Sequence, residues 1–579
     1  MRAFCTRELR GTMRILGRVR GLGSLVLGGG LALMSVAAGA QDRGQTRSMV
    51  ISKGGIVATE SPLASQAGVR ILESGGNAVD AAIAANAMMG VVEPMMNGIG
   101  GDLFVIVYDA KANKLYGLNA SGWAPKGLTI DFLHKQGLRD MPQNGVHSIT
   151  VPGVVDGWQK LADKFGRKKL KDDLAPAIRT AQDGFPVPEW VAAYWAVEVD
   201  LLRTDDAATS LYLPGDRAPK VGDVFKNPDL AASLGQIAEH GRDAFYKGEI
   251  SKKILDAMKR HNGTMTEQDL AQYSSEWVEP ISTTYRDWTV YEMPPNGQGI
   301  GALEMLNIME TFLLGQKDKD MAFGSTKALH AMIEAKKLAY ADVAKYLADP
   351  RGQKIPVATM LSKAWAVERA KLIDPDKATC DIAAGEIAAG NDTTYLSVVD
   401  RDGNMVSLIQ SNYSAFGSGI VPAGAGFVMH NRGGLFTLDP ASPNALAGRK
   451  RPRHTIIPGF AQNGDKRMAF GIMGGWNQAQ AHAQFIANVA DFKMNIQAAL
   501  EAPRFTKYTF SGCDVEMENR VNGKVRDELT AKGHQIKVLG TFSSRVGGGQ
   551  AVLRDFAAGV NYGASDPRKD GQAAAELPF

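Results

Sequence analysis

The strongest constraint on the fold is a change of texture near residue 390. Before it the hydrophobic pattern is mostly helical. Ser61-Pro62 opens a segment with Ala64, Ala67, Gly68, Ile71 and Leu72 at helical spacing, stopped by Gly75-Gly76. Asn77 caps a second, Ala-rich helix predicted over 78–90. Asn97-Gly98-Ile99-Gly100-Gly101-Asp102 then leads into a strand, Leu103 to Tyr108, and residues 185–350 read as mostly helical, most clearly from Lys327 to Leu347. From residue 394 the pattern changes to strand. Thr394 to Val399, a turn at Asp402-Gly403-Asn404, and Met405 to Ile409 give a hairpin. Helices first and hairpins later predict an α+β layered fold, and 579 residues suffice for a large core or two lobes.

The junction itself is chemically unusual. An Ala/Gly-rich run, Ile382 to Gly390, enters Asn391-Asp392-Thr393-Thr394-Tyr395. Exposed flexible backbone is where chains are cut. A Thr freed at a new N-terminus has a base beside it, its own α-amine, with a solution pKa of about 7.7–8.0, and a Thr hydroxyl needs such a base to become a nucleophile. Thr-Thr is equally a common way to start a strand, so the pattern alone leaves both readings open.

Charge places the chain outside some classes. Residues 1–40 hold six Arg and one Glu, and the remainder carries 59 basic and 60 acidic residues. That balance gives no bulk reason to bind nucleic acid or an anionic membrane. The basic N-terminus precedes an apolar, Gly-rich run ending in Ala38-Gly39-Ala40, the layout of a secretory signal peptide over residues 1–40. Met13 offers a second start. A retained anchor is the alternative, but the run is weakly hydrophobic and no later stretch looks able to span a membrane. An exported protein, periplasmic or secreted, is expected. Cys5 would leave with the signal; Cys380 and Cys513 suit either one bridge or two buried thiols.

Familiar sites are missing from the sequence: no HExxH or CxxC pair, no GxxxxGK[ST] loop, no GxSxG elbow. The Gly-rich Asn97–Asp102 segment precedes a strand instead of following one, unlike a dinucleotide loop. Of nine His, only His430 and His454 lie among other unusual polar residues.

A series of ordered blocks resembles the γ-glutamyltransferase (glutathione hydrolase) family of N-terminal-nucleophile hydrolases. They include the run from Ala67 through Gly75-Gly76-Asn77-Ala78-Val79-Asp80 to Ala82, then Val151-Pro152-Gly153, Met293-Pro294-Pro295 and Tyr340-Ala341-Asp342. Thr393-Thr394-Tyr395, Phe416-Gly417-Ser418-Gly419, Lys450-Arg451-Pro452, Gly474-Gly475, Ala502-Pro503-Arg504-Phe505 and Tyr562 to Arg568 follow. The resemblance implies a four-layer αββα sandwich made as an inactive precursor, cut between Asp392 and Thr393. The products would be a large subunit, 41–392, and a small one, 393–579, remaining together as a heterodimer. It makes Thr393 the nucleophile and N-terminal base, Ser411 the hydroxyl that steadies it, and Gly474-Gly475 the oxyanion hole. No metal or organic cofactor is implied, and the partner is a small-molecule amide.

The departures fall where this family binds a γ-glutamyl head group. Ser121 stands near the position of the carboxylate-clamping Arg, and Gly434 near that of the acid that holds the α-amine. His454-Thr455 replaces a Ser-Ser pair, and Tyr413 replaces an Asn. Losing a bidentate Arg is not conservative. These changes resemble the branch with cephalosporin (glutaryl) acylases and oxamate amidohydrolase. They predict an amide whose acyl group lacks the α-amine, its carboxylate going to His454 or Arg432. The alternatives are a structural hydrogen bond for His454 and a surface or inter-subunit salt bridge for Arg432. Phe436 to Arg451 looks shorter than the family's lid, predicting a more open pocket. A true glutathione hydrolase and a processed but inactive binding protein remain the rival functions.

Overall fold

The computed structural model describes residues 44–315, 319–381 and 392–577. The expected signal segment 1–40, the Ile382–Gly390 run and Asn391 lie outside the described residues. Two seven-stranded sheets form the centre. One runs, edge to edge, through Gln572–Ala575, Ile56–Thr59, Asp392–Val399, Met405–Tyr413, Asp102–Asp109, Lys114–Ala120 and Glu276–Val278. The other runs through Val50–Ser52, Val560–Ser565, Gly549–Asp555, Lys466–Ile472, Gly459–Asn463, Trp288–Glu292 and Ile281–Tyr285. Every pairing within the two sheets is antiparallel.

The strand period of two sorts side chains into layers. Phe104, Ile106, Tyr395, Val399, Met405 and Ile409 of the first sheet meet Phe460, Ala469 and Val552 of the second in an inner core. The alternate residues, Leu103, Val105, Leu396, Val398, Val406 and Leu408, face an outer core with the Pro62–Glu73 and Ala78–Val92 helices. On the far side Met468, Phe470 and Ile472 pack against the Gly299–Glu310, Thr326–Tyr346 and Gln478–Ala490 helices. The result is the helix–sheet–sheet–helix sandwich.

Local chemistry explains the helix boundaries. Pro62 sits in the first turn, where a missing N–H costs nothing. Asn77 accepts from the Val79 and Asp80 N–H groups while Asp80 returns a bond to the Asn77 N–H, a reciprocal cap. The Ala78–Val92 helix is buried on every side, as its all-round apolar sequence requires. The helical reading of 185–350 needs correction: besides the short Phe185–Pro186 and Val224–Phe225 pair, Glu276–Val278, Ile281–Tyr285 and Trp288–Glu292 are strands. Thr283, Tyr285, Trp288 and Val290 alternate around a tight turn at Arg286, a period that a mostly helical neighbourhood obscures. Cys380 and Cys513 form a disulfide. Among the described residues no helix is long and apolar enough to cross a membrane.

Candidate active site

Thr393 lies at a break in register. Asp392 pairs with Tyr413 and Thr394 with Gln410, so one residue, Thr393, faces two, Ser411 and Asn412. This is a β-bulge on the Met405–Tyr413 strand, a device that re-aims side chains at functional sites. Tyr413, at its end, has a φ of 78°. The Thr393 hydroxyl donates to Ser411 Oγ at 3.2 Å, and Ser411 Oγ also accepts from the Tyr413 N–H at 2.7 Å. Gln478 Nε2 reaches Thr393 Oγ1 at 3.5 Å, a long contact, and its own Oε1 accepts from the Ile457 N–H at 3.0 Å. Thr394 points the other way, its hydroxyl accepting from Asn97 Nδ2 at 2.6 Å behind the sheet.

Gly474 and Gly475 form the turn between the Lys466–Ile472 strand and the helix that Gln478 begins. Their φ values, 122° and 56°, suit glycine. The turn's carbonyls are anchored from behind: Gln298 Nε2 donates to Gly475 O at 2.8 Å and the Tyr340 hydroxyl to Trp476 O. Among the described residues neither the Gly474 nor the Gly475 N–H meets an acceptor. Two unspent N–H groups one turn before Gln478 are what an oxyanion hole needs.

Beside Ser411 across the sheet lies Asp102, which the sequence reading passed over as the end of a Gly-rich run. It is fully buried and organises the site's other charges. Arg432 holds it through two nitrogens, Nε to Oδ2 at 2.9 Å and Nη2 to Oδ1 at 3.1 Å, and Arg432 Nη1 donates to Thr455 Oγ1 at 2.8 Å. His454 Nε2 donates to Asp102 Oδ2 at 2.6 Å, while its Nδ1 accepts from the Ile456 N–H, which fixes the tautomer. His430 Nδ1 stands 3.5 Å from the same carboxylate, and its Nε2 bonds Thr150. Burial would raise the Asp102 carboxyl, yet Arg432 and His454 together hold it well below the usual carboxylate range. Burial and then Arg432 push the His454 imidazole down to about 4, so it is a neutral donor.

The remaining sequence-derived candidates take structural partners. Ser121 Oγ donates to Asn119 Oδ1 at 2.7 Å, and its carbonyl accepts from the Tyr273 hydroxyl and Arg451 Nε. Gly434 is buried, its carbonyl accepting from Gln143 Nε2; a Cβ there would stand 3.2 Å from Pro142 O, so any larger residue needs its neighbours to give. The Tyr413 ring lies 4.7 Å from the Arg432 guanidinium. Arg432 is thus buried with its charge paired to Asp102, and His454 already spends its proton on Asp102. Among the described residues of the uncut chain, Phe436, Leu438 and Leu446 of the short lid pack against Leu128, Leu133 and Met141, and Thr393 is 1% exposed.

One cluster elsewhere has metal-like composition, His330, Glu334 and His534. Most of its ligand atoms already have partners, and His534 Nδ1 is buried without one. His330 Nδ1 and His534 Nε2 share a hydrogen bond at 2.8 Å, His330 Nε2 donates to Asp374 O, and Lys337 Nζ pairs with Glu334 at 2.7 Å. An ammonium where a cation would sit marks a structural network.

The family model described as gamma-glutamyltranspeptidase matches residues 64–576. The chain belongs to this family of N-terminal-nucleophile hydrolases. It is 36% identical over 531 residues to the glutathione hydrolase-like YwrD proenzyme of Bacillus subtilis (strain 168), covering 90% of this chain and 99% of that one. It is 35% identical over 536 residues to the acylase ACY 1 proenzyme of Pseudomonas sp. (strain SE83), covering 90% and 93%. The crystal structure of cephalosporin acylase from Bacillus halodurans superposes with a TM-score of 0.86 at 43% identity, over 92% of this chain and 98% of that one. This γ-glutamyltranspeptidase-family chain is accordingly an enzyme, with relatives that include both glutathione hydrolases and acylases.

Proposed function

We propose that the chain cuts itself between Asp392 and Thr393, giving pieces 41–392 and 393–579, and that Thr393 then hydrolyses amides whose acyl group carries no α-ammonium. The observation that carries this is the placement of the Thr393 hydroxyl at the bulge, bonded to Ser411 and reached by Gln478, which begins the helix after the Gly474-Gly475 turn. In the precursor Thr393 Oγ attacks the Asp392 carbonyl, the peptide nitrogen leaves as the new α-amine, and water hydrolyses the resulting ester. In turnover that amine takes the Thr393 hydroxyl proton as Oγ attacks the substrate carbonyl. The Gly474 and Gly475 N–H groups hold the oxyanion, and the leaving amine takes the proton. Water or an acceptor amine then releases the acyl group. Ser411 orients the hydroxyl throughout.

The substrate class follows from the charges. A γ-glutamyl head group brings an ammonium that needs a buried acid, but Asp102, beside Ser411 in the sheet, is already paired with Arg432. An ammonium there would be left unpaired, at a cost of several kcal/mol. The basic N-terminal segment also supports export of the precursor.

The test is Thr393→Ala. Purified wild type should give pieces of about 38 and about 20 kDa on a reducing gel, the smaller starting at Thr393. The variant should stay one chain and lose at least about a thousandfold in kcat/KM on any amide that wild type cleaves. Cleavage that persists in the variant, or a piece that starts at Thr394, overturns the assignment.

A further inference from the structure

A second buried guanidinium at the site has no counter-ion. Arg453 is 8% exposed, and its Nε is fully enclosed without a hydrogen-bond partner. Among the described residues no carboxylate pairs with its side chain and no acceptor reaches it. Buried charges in proteins are normally paired, because an unpaired one costs several kcal/mol. The main chain around Arg453 is pinned: its N–H donates to Asn444 Oδ1 at 2.9 Å, Asn296 Nδ2 donates to Pro452 O at 2.7 Å, and the His454 N–H donates to Asn296 O at 2.8 Å.

Its neighbours tie it to two segments of the site. The guanidinium carbon stands 5.7 Å from the Trp476 ring centre, and its charge acts on the buried Tyr413 hydroxyl. Trp476 follows Gly475, and the Tyr413 N–H bonds the Ser411 hydroxyl that meets Thr393. Arg453 is therefore a neighbour of residues next to both the hydroxyl that steadies the nucleophile and the turn that carries the oxyanion donors. The Trp476 face lies beside the cation but takes none of its N–H groups. Burial pushes the guanidinium down to about 10, so it is still charged at neutral pH.

We infer that Arg453 binds a carboxylate on the acyl group of the substrate, and that the preferred substrates are amides of short dicarboxylic acids. A planar fork of unspent donors is matched by a carboxylate, bidentately. The inference rests on Thr393 being the nucleophile and names the residue that replaces the family's carboxylate clamp, a role that neither Arg432 nor His454 has donors free to fill in the same way.

Glutaryl and valeryl p-nitroanilide have acyl chains of the same length and differ by the carboxylate. Their kcat/KM ratio, measured on self-cleaved enzyme, should fall about tenfold to a hundredfold in Arg453→Gln and recover in part in Arg453→Lys. A ratio within about threefold of wild type in Arg453→Gln overturns the inference. Binding gives an independent reading. By calorimetry, wild type should bind glutarate more tightly than valerate, and Arg453→Gln should lose the difference. If wild type binds the two alike, the inference falls whatever the turnover. If glutarate binds through Arg453 but neither anilide is cleaved, the inference stands and the proposed reaction fails.

Discussion

Arg432 and Arg453 are both buried, both act on Tyr413, and have opposite surroundings. Arg432 is clamped by the Asp102 carboxylate and Thr455, with a neutral His454 completing the set. Arg453 has aromatic neighbours and, among the described residues, no anion. The first charge belongs to the scaffold: its desolvation is offset within the fold. The second is not offset by anything described in the fold, and folding alone gives no reason to keep it. A buried charge that the fold satisfies marks structure, and one left unsatisfied beside a nucleophile marks a place for a ligand.

The sharpest test of that contrast is stability. Asp102→Asn removes the anion and leaves Arg432 buried and unpaired, which should destabilise the enzyme by about 3–5 kcal/mol. Arg453→Met replaces an unpaired charge with an apolar side chain of similar length, and should raise the melting temperature while glutarate affinity falls. Thermal unfolding of both variants beside wild type decides it. Shifts of the same sign would mean that Arg453 is paired in solution and that the two arginines are not different in kind.

A smaller effect concerns connectivity. The Asp102–Arg432 pair spans the proposed cut, whereas Arg453, Tyr413 and Trp476 all lie after it. Cys380 and Cys513 also fall on opposite sides. Self-cleaved enzyme should therefore run as one band without reductant and as two with it. Mild reduction should leave wild-type pieces together, since Asp102–Arg432 and the two sheets still join them. The same treatment of Asp102→Asn should release more small piece in gel filtration. Two bands without reductant would show that the bridge does not join the pieces.

Much of this was legible in the sequence, unevenly. The Asn77 cap, the Asp102–Asp109 and Asp392–Val399 strands and the hairpin to Met405–Tyr413 show because their period is local. The sandwich followed from ordered blocks of family resemblance. The charge pairing was not legible: Asp102 and Arg432 are 330 residues apart in the chain and meet only through sheet register. Asp102 closes a glycine run whose glycines draw the eye, and Gln478 is one amide in an Ala/Gln-rich helix. Arg453 adjoins His454, but only the fold shows that His454 faces Asp102 and that, among the described residues, no anion pairs with the Arg453 side chain.

The smallest effect separates the two sides by pH. In the folded state the His454 imidazole is lowered to about 4 from an ordinary 6.5. As pH falls from about 6.5 to about 4, the unfolded chain takes up a proton that folded His454 refuses, so stability declines across that window. The Asp102 contribution behaves differently: its carboxyl is held below the ordinary value, so its stabilisation is full above about pH 4 and is lost only as pH falls through the lower folded value. Buried His534, lowered to about 3, adds a slope of the same sign as that of His454, so the informative quantity is a difference between variants. His454→Gln keeps a donor for Asp102 and removes the titration. Its stability measured by urea unfolding should fall less between pH 6.5 and pH 4 than that of wild type, while Arg453→Met should retain the wild-type slope. An equal slope in His454→Gln and wild type would mean that His454 is charged in the fold, and that the Asp102 cluster carries a net positive charge instead of being neutral.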